Sequence, residues 1–473
     1  MSTTEPQHDA AQLMRVLGRW DLVLLFVVAI VNLNVVPSIS ASGGMTVWLW
    51  LISLVFFFWP QGIAVVELSH RYPGEGGIYL WTKKIFGDFH GFLSGWCYWT
   101  NNIFYVPTVV LIFLGIAVFV AGPHAVGLAS NQVFTLFTAL VLLVLLAVLN
   151  VVGLGVGKWV NNIGGIGTAV ASLILISLGL TVTRRFGVNL TLQDMRIPFD
   201  LSLLSAFGVV CFALVGLELA SIMGDEIRDP HKTVPFAVAW GGVISGILYI
   251  GCTLTLLIAV PRAEISALQG IPQAVSRMSD KVGVPWLISP FALVLSISIA
   301  GIASAWLSGS ARIPFVAGLD SYLPSALGKL HPRFSTPYVA LYVQTGISIL
   351  FLAMSFIGAQ VREAFQTLLS LAVVLQLVPF LYMFAALIRL ASTDSRQAGY
   401  YSPATLRIAG ISGFTVTCLG TALAFFPPPN ITSKLTFEIK MWTGTIVLLL
   451  LAGFFFFVYG NRKTAPQVDP TGA

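Results

Sequence analysis

Near the centre of an apolar stretch from Leu203 to Gly224 stands Val215-Gly216-Leu217-Glu218, a flexible residue and a carboxylate two positions apart. A carboxylate at the middle of a lipid-spanning helix costs on the order of 3 kcal/mol on insertion scales, so it normally faces a bundle interior or a water-filled cavity and does work there. The break beside it frees peptide N–H and C=O groups. Lipid cannot satisfy them, and they persist only where they are buried in protein or line a cavity, which is how solute sites are built. That interruption points to a transporter. A second polar cluster lies upstream: Asn32, Asn34 and Pro37, then Ser38, Ser40, Ser42, Gly43 and Gly44. N–H groups exposed at one break suit a carboxylate, and carbonyls exposed at the other suit an ammonium, so a zwitterionic amino acid fits the pair. The alternative is that Asn32 and Asn34 only hydrogen-bond between helices.

The elements that must position these groups follow from composition. The chain is 57% hydrophobic and 9% charged, with a mean hydropathy of +0.89, against about 25% charged in ordinary soluble domains. This is the composition of an all-α integral membrane protein. Twelve apolar segments approach the ~20 residues that a spanning helix needs: roughly 20–40, 46–66, 91–120, 131–153, 160–183, 203–223, 235–260, 285–310, 337–357, 364–388, 405–426 and 440–459. Unbroken runs such as Phe134 to Asn150 exclude the alternating strands of a membrane barrel. Interruptions at the heads of two five-helix halves, in the first and sixth segments, are the sequence pointer to an inverted repeat with a site between the breaks. The expected organisation is a tail over 1–19, a ten-helix transport core over 20–389 (repeats 20–183 and 203–389), two further helices over 390–460 and a tail over 461–473.

With an even number of spans and the N-terminus inside, 16 of the 25 Lys and Arg fall on cytoplasmic connections and tails. This bias places both termini in the cytoplasm. The positive charges are dispersed among loops, which argues against nucleic-acid binding. Cys97, Cys211, Cys252 and Cys418 lie inside apolar segments without CxxC spacing, the pattern of buried unpaired thiols. Six scattered histidines suggest no metal, and no cofactor is expected. Gly153, Gly155, Gly157 and Lys158 superficially match a phosphate loop, but Trp159 stands where Ser or Thr is required. Asn189-Leu190-Thr191 and Asn430-Ile431-Thr432 match a glycosylation sequon short enough to arise by chance. Gly242 and Gly246 fit ordinary helix packing. No paired carboxylates or nucleophile–base arrangement points to an enzyme.

Three motifs resemble the amino acid/polyamine/organocation transporters over nearly the whole chain. The first is Glu67-Leu-Ser-His-Arg-Tyr-Pro73-Gly-Glu-Gly76-Gly77-Ile-Tyr79 with Phe86-Gly87. The second is Gly216-Leu217-Glu218 with Asp225-Glu226 and Arg228-Asp229-Pro230 to Pro235. The third is Ser310-Ala311-Arg312, Asp320, Leu323-Pro324 and His331-Pro332-Arg333 to Pro337. The resemblance implies a five-plus-five inverted-repeat (LeuT-like) fold that works by alternating access in the cytoplasmic membrane. It places Ile30, Val31 and Asn32 at the break that binds a substrate carboxylate, although the family's glycines are missing here and Asn32 with Asn34 would supply amides instead. It makes Phe212 a gating aromatic and offers the carbonyls of Phe212, Ala213, Leu214, Val215 and Gly216 to an ammonium. It links Glu218 to pH response and aligns Asn101 and Asn102 with substrate-side positions, of which adjacent helical geometry allows one to face the site. Thr168 stands where some proton-driven relatives keep a lysine, with Lys158 nearer the cytoplasmic end. Ser304 and Ser308 could offer oxygens to sodium or simply pack. The expected activity is secondary transport of an amino acid by proton symport or exchange with a counter-substrate. A polyamine or organic cation carrier is the alternative, and a ligand-sensing receptor or a channel is more remote.

Overall fold

The computed structural model describes residues 17–74, 76–152, 154–187, 196, 204–224, 227–261, 265–266, 269–320, 322–356, 361–392, 399–427 and 433–460. The outer parts of both tails, Asp225, Glu226, Gly153, the Lys158 side chain and both sequons lie outside the described residues. Everything that positions the site is helical. In chain order the helices are α1 (Arg19–Ile30), α2 (Val35–Ser40), α3 (Thr46–Ser53), α4 (Trp59–Arg71), α5 (Ile78–Phe86), α6 (Asp88–Ala117), α7 (Gln132–Val152) and α8 (Leu154–Phe186). They continue with α9 (Ala206–Ala213), α10 (Leu219–Ile222), α11 (Pro230–Ala259), α12 (Gly270–Val282), α13 (Ile288–Ser310), α14 (Arg312–Leu319), α15 (Tyr338–Ser355), α16 (Val361–Ser392), α17 (Pro403–Ala424) and α18 (Lys434–Phe454). Among the described residues, nine helices are long and apolar enough to cross a membrane, and Tyr338–Met354 forms a shorter apolar one. The chain is a multi-pass membrane protein.

Two apolar segments do not run through as helices. The first stops at Ile30 and restarts at Val35; the second stops at Ala213 and restarts at Leu219. Both breaks have a local cause, a side chain that competes with the helix for backbone N–H groups. Asn32 Oδ1 accepts the N–H of Asn34 at 3.3 Å, and Glu218 Oε2 accepts the N–H of Gly216 at 2.8 Å. Gly216 has φ +142°, and a Cβ there would stand 2.8 Å from Ile30 Cγ1, so the second break requires glycine both for conformation and for contact with the first.

Around the broken helices the continuous ones pack as a frame. α1 lies against α8, α11 and α13, while α6 packs on α13 and α16, and α16 on α17. Gly164 and Gly301 bring α8 and α13 together so closely that a Cβ on Gly164 would meet the Gly301 Cα at 2.8 Å. Between α3 and α4 a π-helical turn spans Leu54–Phe58. Pro60 just beyond it has no N–H to offer, and the Ser412 hydroxyl of α17 donates to the Phe56 carbonyl at 2.9 Å. Gly242 and Gly246 sit beside Phe58 and Leu54, as ordinary packing requires. The expectation of four buried thiols needs one correction. All four cysteines are free, but Cys418 is exposed, because the 22 residues of α17 bury only one side and Cys418 falls on the other.

At the end of the molecule that carries the N-terminal segment, the chain is stapled shut. Leu17 and Ile227 form a parallel bridge, with the Arg228 N–H donating to the Leu17 carbonyl at 2.9 Å. The turn before α5 seats on α10, where the Gly76 N–H donates to the Ile222 carbonyl at 3.3 Å. From α5, Tyr79 Oη and Lys83 Nζ donate to Asp320 Oδ2 at 2.6 and 2.7 Å. Burial, and after it the Asp320 carboxylate, hold the Tyr79 phenol well above its ordinary range, so it stays a donor. α5 therefore ties the second broken helix to the frame.

A Cβ at Gly77, whose φ is +40°, would meet Ser221 Oγ at 2.4 Å and the Ile222 N at 2.8 Å. Overpacking against backbone of this kind costs about 1–3 kcal/mol. Gly77→Ala is expected to lower the melting temperature of the purified protein by several degrees, whereas Gly127→Ala, where a Cβ meets nothing within 4 Å, leaves it unchanged.

Candidate functional site

The breaks meet at one tyrosine. Tyr249 is fully buried on α11; its hydroxyl lies within hydrogen-bond reach of the Ile30 and Ala213 carbonyls, the second at 2.8 Å, which share its one proton, and it accepts the Asn32 N–H at 3.0 Å. Its ring stacks on Trp50 with centroids 4.3 Å apart, which fixes the hydroxyl in place. On the neighbouring turn, Trp306 Nε1 of α13 donates to the Ala29 carbonyl at 3.1 Å. The last carbonyls of α1, which find no N–H donors within the helix, are thus served by side chains from two other helices.

The polar and aromatic walls form around this junction. The Asn32 amide donates to the Tyr105 hydroxyl. Tyr105 in turn meets Phe212 edge-on at 5.0 Å and Trp306 at 5.6 Å. Ile30, Val31, Asn32, Phe212, Ala213, Leu214, Val215 and Gly216 are all buried, and the Tyr249 bridge and the Ile30–Gly216 contact bring the two sets together. Asn34 is 2% exposed, and among the described residues neither of its amide atoms has a partner. An unsatisfied buried amide beside a helix break is an invitation to a polar ligand, since leaving it unpaired costs about 1–3 kcal/mol.

Glu218 lies one turn further along, fully buried. Its Oε2 accepts Gln61 Nε2 at 3.0 Å and the Gly216 N–H at 2.8 Å; its Oε1 accepts Tyr98 Oη at 3.0 Å and Gln376 Nε2 at 3.4 Å. A carboxylate offers about four lone-pair sites, and four protein donors occupy them. Asn101 joins this cluster by donating to Gln376 Oε1. Asn102 points its amide back to the Tyr98 carbonyl of its own helix at 2.9 Å, so the two adjacent amides do part company.

Positions considered for a coupling ion are engaged elsewhere. Ser304 pairs with Asn150, its hydroxyl 3.2 Å from Nδ2, and Ser308 receives Arg312 Nη1 on its hydroxyl at 3.0 Å and on its carbonyl. Thr168 bonds to the Gly164 carbonyl at 3.0 Å and to Ser298. No group of three His, Cys, Asp or Glu side chains is placed to hold a metal among the described residues. Sequence reasoning missed Tyr105, Tyr249 and Trp306, which read as ordinary apolar-span aromatics. It also missed Gln61 and Gln376, for which an amide inside an apolar run was the available signal.

Tyr249→Phe keeps the ring and removes the hydroxyl, leaving two carbonyls at the breaks without this donor. It is expected to destabilise the protein by about 1–3 kcal/mol, read as a lower melting temperature, while Tyr338→Phe, whose ring packs beside His331 and Tyr342, changes little.

Comparison with known proteins places this architecture. A family model described as amino acid permease matches residues 17–466. An uncharacterized transporter of Legionella pneumophila is 28% identical over 94% of this chain and 95% of its own length. A probable agmatine/putrescine antiporter of Lactococcus lactis is 22% identical over 91% of each chain, and a branched-chain amino acid permease of Bacillus subtilis is 26% identical over 70% of this chain and 72% of its own. A family model that matches residues 17–466, nearly the whole chain, makes this protein a member of the amino acid permease family.

Proposed function

We propose that this protein is a secondary transporter that moves an amino acid across the cytoplasmic membrane by alternating access, with proton symport or substrate exchange as the driving process. The observation that carries the reading is the junction of two interrupted helices, with backbone, the Asn32 and Asn34 amides and an aromatic wall around it. In this reading the nine continuous spans, the shorter α15 and the two broken helices make up twelve crossings, arranged as repeats over 20–183 and 203–389 followed by two helices over 390–460. Both termini face the cytoplasm, as the distribution of Lys and Arg suggests. Asn32 and Asn34 with the first break take the carboxylate. The carbonyls from Phe212 to Gly216 take the ammonium, Phe212 gates the path, and Asn101 tunes the site through Gln376.

The Lactococcus relative raises a second reading, transport of a diamine or agmatine. A dication needs anionic partners in the cavity, and Glu218, the acidic side chain at the breaks, is already saturated by four protein donors. That favours the zwitterion. The engagement of Ser304 and Ser308 with Asn150 and Arg312 favours proton coupling or exchange over sodium. Glu218 remains the group through which a proton would act, because adding or removing its proton rewrites the hydrogen bonds of Tyr98, Gln61, Gln376 and the Gly216 turn together.

Flux into proteoliposomes decides between the readings: uptake of a neutral amino acid without uptake of putrescine supports the first, and the reverse overturns it. Glu218→Gln is nearly isosteric: its amide oxygen can keep Gln61 and the Gly216 N–H and its N–H can turn to the Tyr98 hydroxyl, leaving Gln376 Nε2 without this acceptor, so it is expected to fold with a modestly lower melting temperature. Its uptake should lose most of the pH dependence seen in the wild type; an unchanged profile removes the proton role. Phe212→Ala should cut uptake about tenfold or more, and wild-type flux in that variant would sink the gating assignment.

A further inference from the structure

Two of the six histidines that look scattered in the sequence meet at the stapled end. His70 stands in the last turn of α4 and His231 in the first turn of α11. Their Nδ1 atoms are 3.3 Å apart and their rings lie edge-to-face with centroids at 5.2 Å. Both residues are exposed. As a hydrogen bond this separation is long, because N–H donors favour about 2.7–3.2 Å to their acceptors. It matches the edge of a tetrahedral zinc site, where two nitrogens each about 2.0–2.1 Å from one ion lie about 3.3–3.4 Å apart. Neighbouring ligands of a square-planar ion at the same bond lengths lie only about 2.9 Å apart.

The backbone under each ring is held independently of any ion. Beside His70, Arg71 Nε donates to Glu67 Oε1 at 2.5 Å, and Glu67 Oε2 accepts the N–H groups of Tyr400 and Tyr401 at 2.8 and 2.9 Å. The end of α4 is thereby tied to the turn before α17, and the Tyr400 ring meets that of His70 edge-on at 6.2 Å. His231 follows Pro230, whose ring presets the first helical residue of α11. The Thr233 hydroxyl closes this turn by donating to the Arg228 carbonyl at 2.7 Å. Ser69 lines the same notch as the two histidines, and its buried Oγ has no hydrogen-bond partner among the described residues.

We propose that His70 and His231 form a zinc site that clips the end of α4 to the start of α11. Both imidazoles bind neutral and through Nδ1, so the proton that one Nδ1 holds toward the other moves to Nε2 of its own ring. Each exposed ring swings by up to about 35° to aim its lone pair at the shared ion. Water fills the two remaining positions, and the Ser69 hydroxyl bonds one of those waters, as outer partners of metal ligands do. Two protein ligands make an exchangeable site, unlike the closed four-ligand sites that hold structural zinc. Imidazole pairs suit borderline-soft divalent ions, whereas magnesium demands oxygen ligands. The site stands apart from the transport reading and does not depend on it.

The test is thermal melting of the full chain, purified without a histidine tag, in the presence and absence of zinc chloride. An ion that binds only the folded state raises the melting temperature, by about 1–3 °C at about 100 µM zinc for a Kd of about 10 µM. His70→Gln and His231→Gln, each at an exposed ring and so expected to fold, should lose that shift. Equilibrium dialysis reads the same site without melting: about one zinc ion per chain in the wild type, and none at that concentration in either variant. Cys418→Ser, which removes the exposed thiol, should keep the shift, and magnesium should produce none. Absence of zinc binding by the wild type overturns the site. So does a shift that survives both histidine substitutions, disappears with Cys418→Ser, or is matched by magnesium.

Discussion

Hydrocarbon offers a peptide group nothing to bond to, so every carbonyl and N–H released by an interrupted helix must find its partner inside the protein. In this chain one place answers part of that requirement for both interruptions. A single buried hydroxyl, that of Tyr249, serves the end of α1 and the end of α9 at once, and an indole N–H from α13 serves the carbonyl next to them. The remaining features follow. Trp50 is stacked to hold the tyrosine, Gly216 is bare so that Ile30 can approach, and Tyr105 stands between Asn32, Phe212 and Trp306. The continuous helices are the frame that lets a few side chains replace water for the exposed backbone.

Much of this was legible in the sequence because lipid makes the rules strict. A glycine and a carboxylate two residues apart in an apolar run, and two asparagines in another, mark both breaks in the sequence. They do so for the reason the structure gives, that Asn32 and Glu218 compete locally for backbone N–H groups. The end points were not legible. The unwinding of α1 between Ile30 and Val35 rests on the Asn32–Asn34 turn together with Tyr249 and Trp306 from distant helices. Tyr249 and Trp306 were invisible because an aromatic residue in an apolar span has the same composition whether it faces lipid, a core or a broken helix. Which of Asn101 and Asn102 turns inward depends on Gln376, 274 positions beyond Asn102 in sequence, a pairing no local pattern reports. Cys418 shows the converse limit, since an apolar span says nothing about which of its faces is covered.

The two ends of the molecule differ in kind. One is closed by backbone contacts at glycines, by the Leu17–Ile227 bridge and by the Asp320 carboxylate holding Tyr79 and Lys83. The other carries serines and a glutamine, of which the buried Ser38 Oγ, Ser40 Oγ and Gln366 Oε1 have no hydrogen-bond partner among the described residues. Close backbone packing is stiff and specific, whereas unsatisfied hydroxyls and amides can take water, solute or each other at similar cost.

The bridge between Leu17 and Ile227 has a mechanical meaning. It joins the chain just before the first broken helix to the chain just after the second, and Tyr249 joins the same two helices at their breaks. Fastened at two heights, they form one lever instead of two, and a motion that tilts one tilts the other.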